Sequence, residues 1–172
     1  EIVNFPQVVI SGTPVATQAD IKQRWSDGSV KHAILSFIVP SLGASQSITV
    51  SFQNQGSSNN TPLSQAQMLS ATYNFDAVTE LTNGSTVSAS ARTMLTNGDY
   101  TVWTSGPIAT TIILADHSAA RKYDMGFDAF KSFRPIFHAT FWPSINKVRV
   151  RYIGEVANTE AFQDVVANSL AL

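Results

Sequence analysis

The chain of 172 residues contains no cysteine, so disulfides, thiolate metal sites and a cysteine nucleophile are all excluded. Charged residues make up only 13% of the chain, about half the usual share. No apolar run approaches the roughly 20 residues that a membrane-spanning helix needs. The formal net charge is −1, so no basic excess is present to attract nucleic acid.

Apolar residues reach 44%, which is enough for a core without metal or disulfide cross-links. Serine, threonine, asparagine and glutamine take the place of charged residues on the surface. This composition favours a secreted, cell-surface or virion protein over a cytosolic enzyme. The chain begins with Glu1 and shows no signal peptide, as expected of a mature product or an excised segment.

Alternating apolar and polar residues between turn signals predict an all-β fold. Asp27-Gly28 separates two alternating stretches, Gln18–Trp25 and Ser29–Val39, and predicts a tight hairpin with Trp25 facing inward. A strand near Ile48–Phe52 would complete an antiparallel meander.

The polar loop Gln53–Pro62 marks a change in composition. We expect a meander or barrel-like module over 1–60 and a β-sandwich-like module over 61–172, with one shared core as the alternative. At most one short helix is expected, capped by Thr61, with Met68 pointing inward.

Asp27, Ser29 and His32 resemble parts of a catalytic set. A serine nucleophile needs a base within hydrogen-bond reach, yet Ser29 and His32 are three apart on a predicted strand and face opposite sides. Asp27 is better explained as a turn residue. Catalysis by these residues is therefore not predicted, and no cofactor is expected.

The candidate metal ligands lack a recognised spacing. His117 and His138 do not form a zinc motif. Asp116, Asp124 and Asp128 offer the oxygen ligands that calcium prefers, but they fit no calcium-binding loop and cations lie between them. A solvated loop without metal is the prediction.

Lys147, Arg149 and Arg151 alternate with apolar residues, so one strand face should carry all three charges. With Trp142 as a stacking platform, they are candidate ligands for acidic sugars. The alternative is an ordinary soluble face whose charges pair with Glu155 or Glu160.

Two sequons in predicted turns, at Asn59 and Asn83, are candidate glycosylation sites.

Three segments carry a resemblance to a known family: "RWSDGSVKHAILSFIVPSLGA", "YTVWTSGPIATTIIL" and "KVRVRYIGEVANTEAF". They resemble the N-terminal β region of exo-acting rhamnogalacturonan lyase-like proteins and related secreted or phage-associated proteins. The resemblance implies two β modules. It also implies that the family's catalytic residues lie on a later helical domain, and no long amphipathic helix occurs in this sequence.

The expected function is that of a non-catalytic structural β module that assembles with copies of itself or docks onto a neighbouring domain. The terminal strands, Gln7–Ile10 or the C-terminal run, could add to a partner's sheet edge. An ancillary carbohydrate-binding module that takes acidic glycans is the alternative. Neither nucleic acid nor a membrane span is expected.

Overall fold

In a computed structural model of the chain, residues 1–156 are described in full and residues 167–171 by their backbone. Antiparallel sheets dominate and the helices are short, which confirms the all-β prediction. The chain divides into two compact units, and its first break follows Leu63. Unit 1 contains residues 1–63, 104–110 and 142–145, and unit 2 contains the remainder.

Unit 1 is built from two sheets. One has the strand order β2-β1-β5, and the other is the pair β3-β4. The strands are β1 (Phe5–Ile10), β2 (Thr13–Pro14), β3 (Thr17–Arg24), β4 (Val30–Phe37) and β5 (Val50–Gln55).

The predicted hairpin forms between β3 and β4, but the predicted meander does not. β5 pairs along its whole length with β1, from Phe5↔Gln55 to Ile10↔Val50, and not with β4. A short turn forces neighbouring strands to pair, whereas the long connection from Ile38 to Thr49 leaves β5 able to pair elsewhere. The third strand forms near the predicted position, but the prediction that it pairs with β4 was wrong.

β1 lies in the middle of its sheet, so Gln7–Ile10 is not a free terminal strand. β5 covers one side, and Val9 and Ile10 pair with β2 on the other. The backbone groups of Val8 also have partners: its N–H donates to Thr17 Oγ1 at 2.9 Å and its carbonyl accepts from Val15 N at 3.0 Å. The expectation that this segment adds to a partner's sheet is corrected.

A buried polar cluster holds residues 104–110 in unit 1. Gln18 Oε1 accepts from the backbone N–H groups of Ile108 and Ala109, at 3.1 and 3.0 Å. Its Nε2 donates to Asp20 Oδ2 and to the Ala109 carbonyl, both at 2.8 Å. Asp20 Oδ1 accepts from Ser105 N at 2.7 Å. Every polar atom of the Gln18 side chain therefore has a partner, which a buried amide requires.

Unit 2 combines two further sheets, with strand orders β11-β10-β9-β8 and β12-β6-β7, although the end residues Thr104, Thr110 and Trp142 of β8, β9 and β10 belong to unit 1. Buried side chains from both, including Leu81 and Phe141, form its core. The C-terminal run forms β12, which pairs with β6 and is the last strand of its sheet among the described residues. The strands are β6 (Val78–Thr82), β7 (Thr86–Ser90), β8 (Tyr100–Thr104), β9 (Thr110–Leu114), β10 (Phe133–Trp142), β11 (Lys147–Val156) and β12 (Ala167–Ala171).

Two short helices occur where one was predicted. Helix α1 (Gln65–Met68) starts later than expected, because Ser64 and not Thr61 caps it, and Met68 is buried as predicted. Helix α2 (Ala91–Thr96) was missed, because alternation was extended past the end of β7.

Ser90 ends β7 and caps α2, accepting from Thr93 N at 3.0 Å. The spacing of Ala91, Met94 and Leu95, all buried, carries the helical period that reveals this element.

A 3-10 turn, Pro143–Ile145, joins β10 to β11. Among the described residues, no helix has the length and apolar character required to cross a membrane.

Candidate functional site

The Asp27-Gly28-Ser29 segment is a turn, as predicted. Asp27 Oδ1 accepts from both Ser29 N and Ser29 Oγ, at 2.9 and 2.7 Å. These bonds stabilise the carboxylate and hold the pKa of Asp27 below its usual value. Gly28 has φ +88°, a left-handed conformation that glycine adopts without steric cost. The Ser29 hydroxyl therefore serves the turn.

Trp25 does not face inward, which corrects the prediction. Its side chain is 55% exposed, and Lys31 Nζ lies 4.3 Å from the ring centroid, a cation–π contact. Register shifts on both sides of Gln23 break the alternation on which the prediction rested. His32 is exposed on β4, opposite Gln23.

Lys147, Arg149 and Arg151 are all exposed on β11, an edge strand of unit 2. The alternate residues Val148, Val150 and Tyr152 are half-buried, and the Tyr152 ring lies 5.3 Å from that of Phe137. The three positive charges therefore share one exposed face, as the alternation indicates. We call these three residues the basic stripe.

Strand β10 contributes one cation and one titratable group beside β11, namely Arg134 and His138. Arg134 Nη1 lies 3.7 Å from Glu155 Oε2, and Arg134 Nε donates to Asp124 Oδ1 at 3.1 Å. Glu155, expected to pair with the stripe, thus contacts Arg134, and Glu160 lies outside the described residues. Two effects lower the pKa of His138: burial, which is the larger, and the positive charge of Arg151. This imidazole is therefore neutral at pH 7.

A pocket of about 370 Å³ in unit 2 includes one residue of the basic stripe. Tyr73, Asn74, Phe75, Asp76 and Arg149 line it together with two valines of β11. The Tyr73 ring packs edge-on against Phe141 with 5.0 Å between centroids. Burial raises the Tyr73 pKa, so the phenol keeps its proton at neutral pH.

The Asp76 carboxylate holds the wall of this pocket in place. It accepts hydrogen bonds from Ala77 N, Ser90 Oγ and Arg92 N, at 2.7, 2.8 and 3.1 Å. The pocket therefore brings an aromatic ring, an amide and a guanidinium to a wall fixed by hydrogen bonds.

Trp142 lines a different pocket, of about 340 Å³, in unit 1. Leu35, Phe37, Ile108 and Ile145 provide most of the apolar wall around it. Trp142 and the basic stripe were predicted to form one sugar-binding set. Trp142 belongs to unit 1 and the basic stripe to unit 2, and the pocket that Trp142 lines contains no residue of the stripe.

Each of the three aspartates that are candidate calcium ligands accepts hydrogen bonds from nearby protein groups. Asp116 accepts from Ser118 N and Lys122 N, both at 2.8 Å, which holds its pKa at about 2. Asp124 pairs with Arg121 and Arg134.

Asp128 accepts hydrogen bonds from Phe130 N and Ser132 Oγ, at 2.8 and 2.9 Å. Asp116 and Asp124 are buried, which corrects the prediction of a solvated loop. Over residues 1–156, no group of three potential ligands is placed to hold a metal ion, and His117 is exposed.

A second polar cluster links this loop to the turn before β8. Lys122 Nζ donates to both Asp99 oxygens at 2.7 Å, and Tyr123 Oη donates to Asp99 Oδ2 at 2.6 Å. All three bonds stabilise the carboxylate and lower the Asp99 pKa. Each donor has a structural acceptor here, so the cluster holds two loops together.

Both sequon asparagines are exposed. Asn59 Oδ1 accepts from Thr61 N at 3.1 Å, and Asn83 lies in the turn that joins β6 to β7. The neighbouring Asn60 has a different role, because its amide donates to the carbonyls of Ala19 and Ser105.

Sequence reasoning missed the polar set of Gln18 and Asp20, both buried, and the half-buried Asn60. The alternation gave no signal for them, because Gln18 and Asp20 stand on the face opposite Ala19 and Ile21, where polar residues are expected to meet solvent.

Comparison of the chain with protein-family models, with curated proteins and with solved structures finds no match. The resemblance to the lyase-like proteins stays a prediction.

Proposed function

We propose that this chain is a non-catalytic structural β module, extracellular or part of a virion, which assembles with copies of itself or docks onto a neighbouring domain. One observation carries the proposal: three edge strands expose large apolar side chains in pairs. These are Val50 and Phe52 on β5, Val102 and Trp103 on β8, and Ile153 and Val156 on β11.

Edge strands offer unpaired backbone groups, and apolar side chains beside them favour contact with another chain. Low charge supports the same proposal, because a net charge of −1 gives little repulsion between copies. Gln7–Ile10 has partners on both sides within the chain, whereas β12 is the last strand of its sheet among the described residues and stays a candidate edge for assembly.

The test is the molar mass of the purified chain, measured by sedimentation equilibrium over a hundredfold range of concentration. We expect a mass above the 18.6 kDa of one chain that rises with concentration. A single species of 18.6 kDa at every concentration would contradict self-assembly.

A second candidate function, ancillary binding of acidic carbohydrate, is favoured by the pocket that contains Arg149 and Tyr73. A guanidinium can bind a uronate carboxylate through two parallel hydrogen bonds, and an aromatic ring beside it offers a surface to a sugar ring.

Binding of oligogalacturonate, measured by calorimetry, tests this candidate. Arg149→Ala should weaken binding about tenfold or more, because a charge-assisted bond is lost. Arg151→Ala is the matched control, since Arg151 has the same charge on the same strand but does not line the pocket. Equal losses from both variants would indicate nonspecific attraction to the stripe.

A further inference from the structure

We propose that the outer edge of β5 is a self-pairing surface, through which two copies of the chain join in an antiparallel, two-fold arrangement centred on Phe52. The inference rests on the proposed self-assembly and names its surface and partner.

The backbone of β5 presents its hydrogen-bonding groups outward at alternate residues. Val8 directs its N–H to Thr17 and its carbonyl to Val15, so Val8↔Phe52 is a pair without mutual hydrogen bonds. The N–H and C=O of Phe52 therefore point away from β1. By the two-residue period, the groups of Val50 and Asn54 point the same way.

The hydrogen bonds of the odd-numbered residues agree with this assignment. Ser11 N donates to the Thr49 carbonyl at 3.0 Å, so the odd-numbered residues at this end of β5 face β1. β5 is the last strand of its sheet. Within the described part of the chain, no strand pairs with its outer side, and three donors and three acceptors are directed there.

The side chain of Phe52 extends the buried face of the sheet beyond its edge. Directly opposed residues of an antiparallel pair share a face, and Val8, opposite Phe52, is fully buried. Phe52 itself is 58% exposed and Val50 is also exposed. The apolar face that covers the core thus continues into solvent at β5.

β5 has none of the features that normally block edge pairing. Its sequence VSFQNQ contains no charged residue and no proline, and its register with β1 has no bulge. β11, by comparison, carries the three cations of the basic stripe. A second β5 would therefore meet no charged side chain on the strand itself.

The surface is complementary to itself. With Phe52 of one copy opposite Phe52 of the other, Val50 lies opposite Asn54 on both sides of the axis. Each of these three pairs exchanges two hydrogen bonds, about six in all. The two phenylalanines lie on one face within contact distance, where aromatic cross-strand pairs stabilise a sheet. No other register centred within β5 pairs all three outward-facing residues with one another.

The first experiment compares the wild-type chain with Phe52→Lys and Val102→Lys by sedimentation equilibrium, with circular dichroism to verify folding. Val102, 42% exposed on the charge-free edge strand β8, is the matched control. We expect twice 18.6 kDa for the wild type and for Val102→Lys, and 18.6 kDa for Phe52→Lys with an unchanged spectrum.

A covalent trap keeps the test independent of any folding defect in the lysine variant. The chain has no cysteine, so Phe52→Cys places one thiol per copy on the proposed axis. The Cα atoms of an opposed, hydrogen-bonded pair lie about 5.5 Å apart, within the range for a disulfide. Mild oxidation should yield a covalent dimer of Phe52→Cys, and little or none of Val102→Cys.

The outcomes separate this inference from the proposed function. Suppose that the wild type assembles. If Phe52→Lys also assembles, or if Val102→Lys is monomeric, the β5 surface is overturned while self-assembly itself still holds. A Phe52→Cys chain that assembles but forms no disulfide on oxidation also overturns the β5 surface. A wild type that is monomeric at every concentration overturns both.

Discussion

At the scale of single residues, the buried amide of Gln18 is the most consequential side chain of unit 1. It satisfies backbone groups about ninety residues away in sequence, on Ile108 and Ala109. Gly106 makes this approach possible, since a Cβ there would lie 2.3 Å from the Gln18 side chain. Four hydrogen bonds hold that side chain in place, so it has little freedom to move away.

We expect Gln18→Ala to lower the free energy of unfolding by about 3 kcal/mol, because two buried N–H groups lose their acceptor. Gly106→Ala should also destabilise the chain, by displacing the same amide. Urea denaturation measures both effects. Gln23→Ala, at an exposed glutamine of β3, is the control and should change stability by less than about 0.5 kcal/mol. A Gln18→Ala variant as stable as this control would contradict the assigned role.

The Asp116 carboxylate predicts how stability depends on pH. Its pKa is about 2 in the folded chain against an ordinary value of 3.8, because backbone and side-chain donors stabilise the charged form. A depressed folded pKa contributes stability that is complete above the unfolded value and is lost as pH falls through the folded one. The stabilisation should therefore be present above pH 3.8 and disappear towards pH 2.

Denaturation of the wild type and of Asp116→Asn between pH 2 and pH 7 measures this contribution. We expect the wild type to be more stable at pH 7 and the difference to shrink between about pH 4 and pH 2. A difference that does not vary with pH would show that the charge of Asp116 is unimportant.

At the scale of elements, turns and caps follow directly from local sequence. The β3–β4 hairpin has its glycine in the left-handed region, at φ +88°, and its aspartate accepts two hydrogen bonds from Ser29. These features depend on neighbouring residues alone, which explains why the sequence predicts them.

Gly28→Ala should destabilise the chain by about 1 kcal/mol, because an L-residue is strained in the left-handed region. Gly56→Ala is the matched control: its Cβ would meet no atom within 4 Å, and Gly56 does not have a positive φ. That substitution should be neutral or slightly stabilising, since it restricts the unfolded chain. Thermal unfolding monitored by circular dichroism distinguishes the two, and equal effects would contradict the turn geometry.

At the scale of the whole molecule, compact unit 1 does not coincide with a continuous segment. Residues 104–110 belong to it, and they satisfy the buried side chains of Gln18 and Asp20. A polar loop marks the first break in the chain but carries no information about segments that return later.

The fragment 1–63 is therefore expected not to fold by itself. Without residues 104–110, Gln18 and Asp20 lose the partners that make their burial tolerable, and each unsatisfied group costs about 1–3 kcal/mol. Circular dichroism and proton NMR of the fragment, beside the full chain as control, test this. A fragment with dispersed amide signals and a cooperative transition would contradict the prediction.

The candidate site was predictable only in part for the same reason. Alternation placed Lys147, Arg149 and Arg151 on one exposed face, because a strand's period fixes the side of every second residue. It did not indicate that Arg149 lines a pocket with Tyr73, or that Trp142 lines another, because these neighbours come from distant segments.

The sequence by itself determined the all-β class, the hairpin at Asp27-Gly28 and the exposed face of the basic stripe. Each depends on backbone preferences and on a period of two residues, which are local properties of the chain. Only the tertiary structure decided that β5 pairs with β1, that Gln18 binds residues 108 and 109, and that no described strand pairs with the outer side of β5. Such pairings depend on which segments a long connection can reach and on which buried groups then need hydrogen-bond partners. Neither can be inferred from residues that are neighbours in sequence.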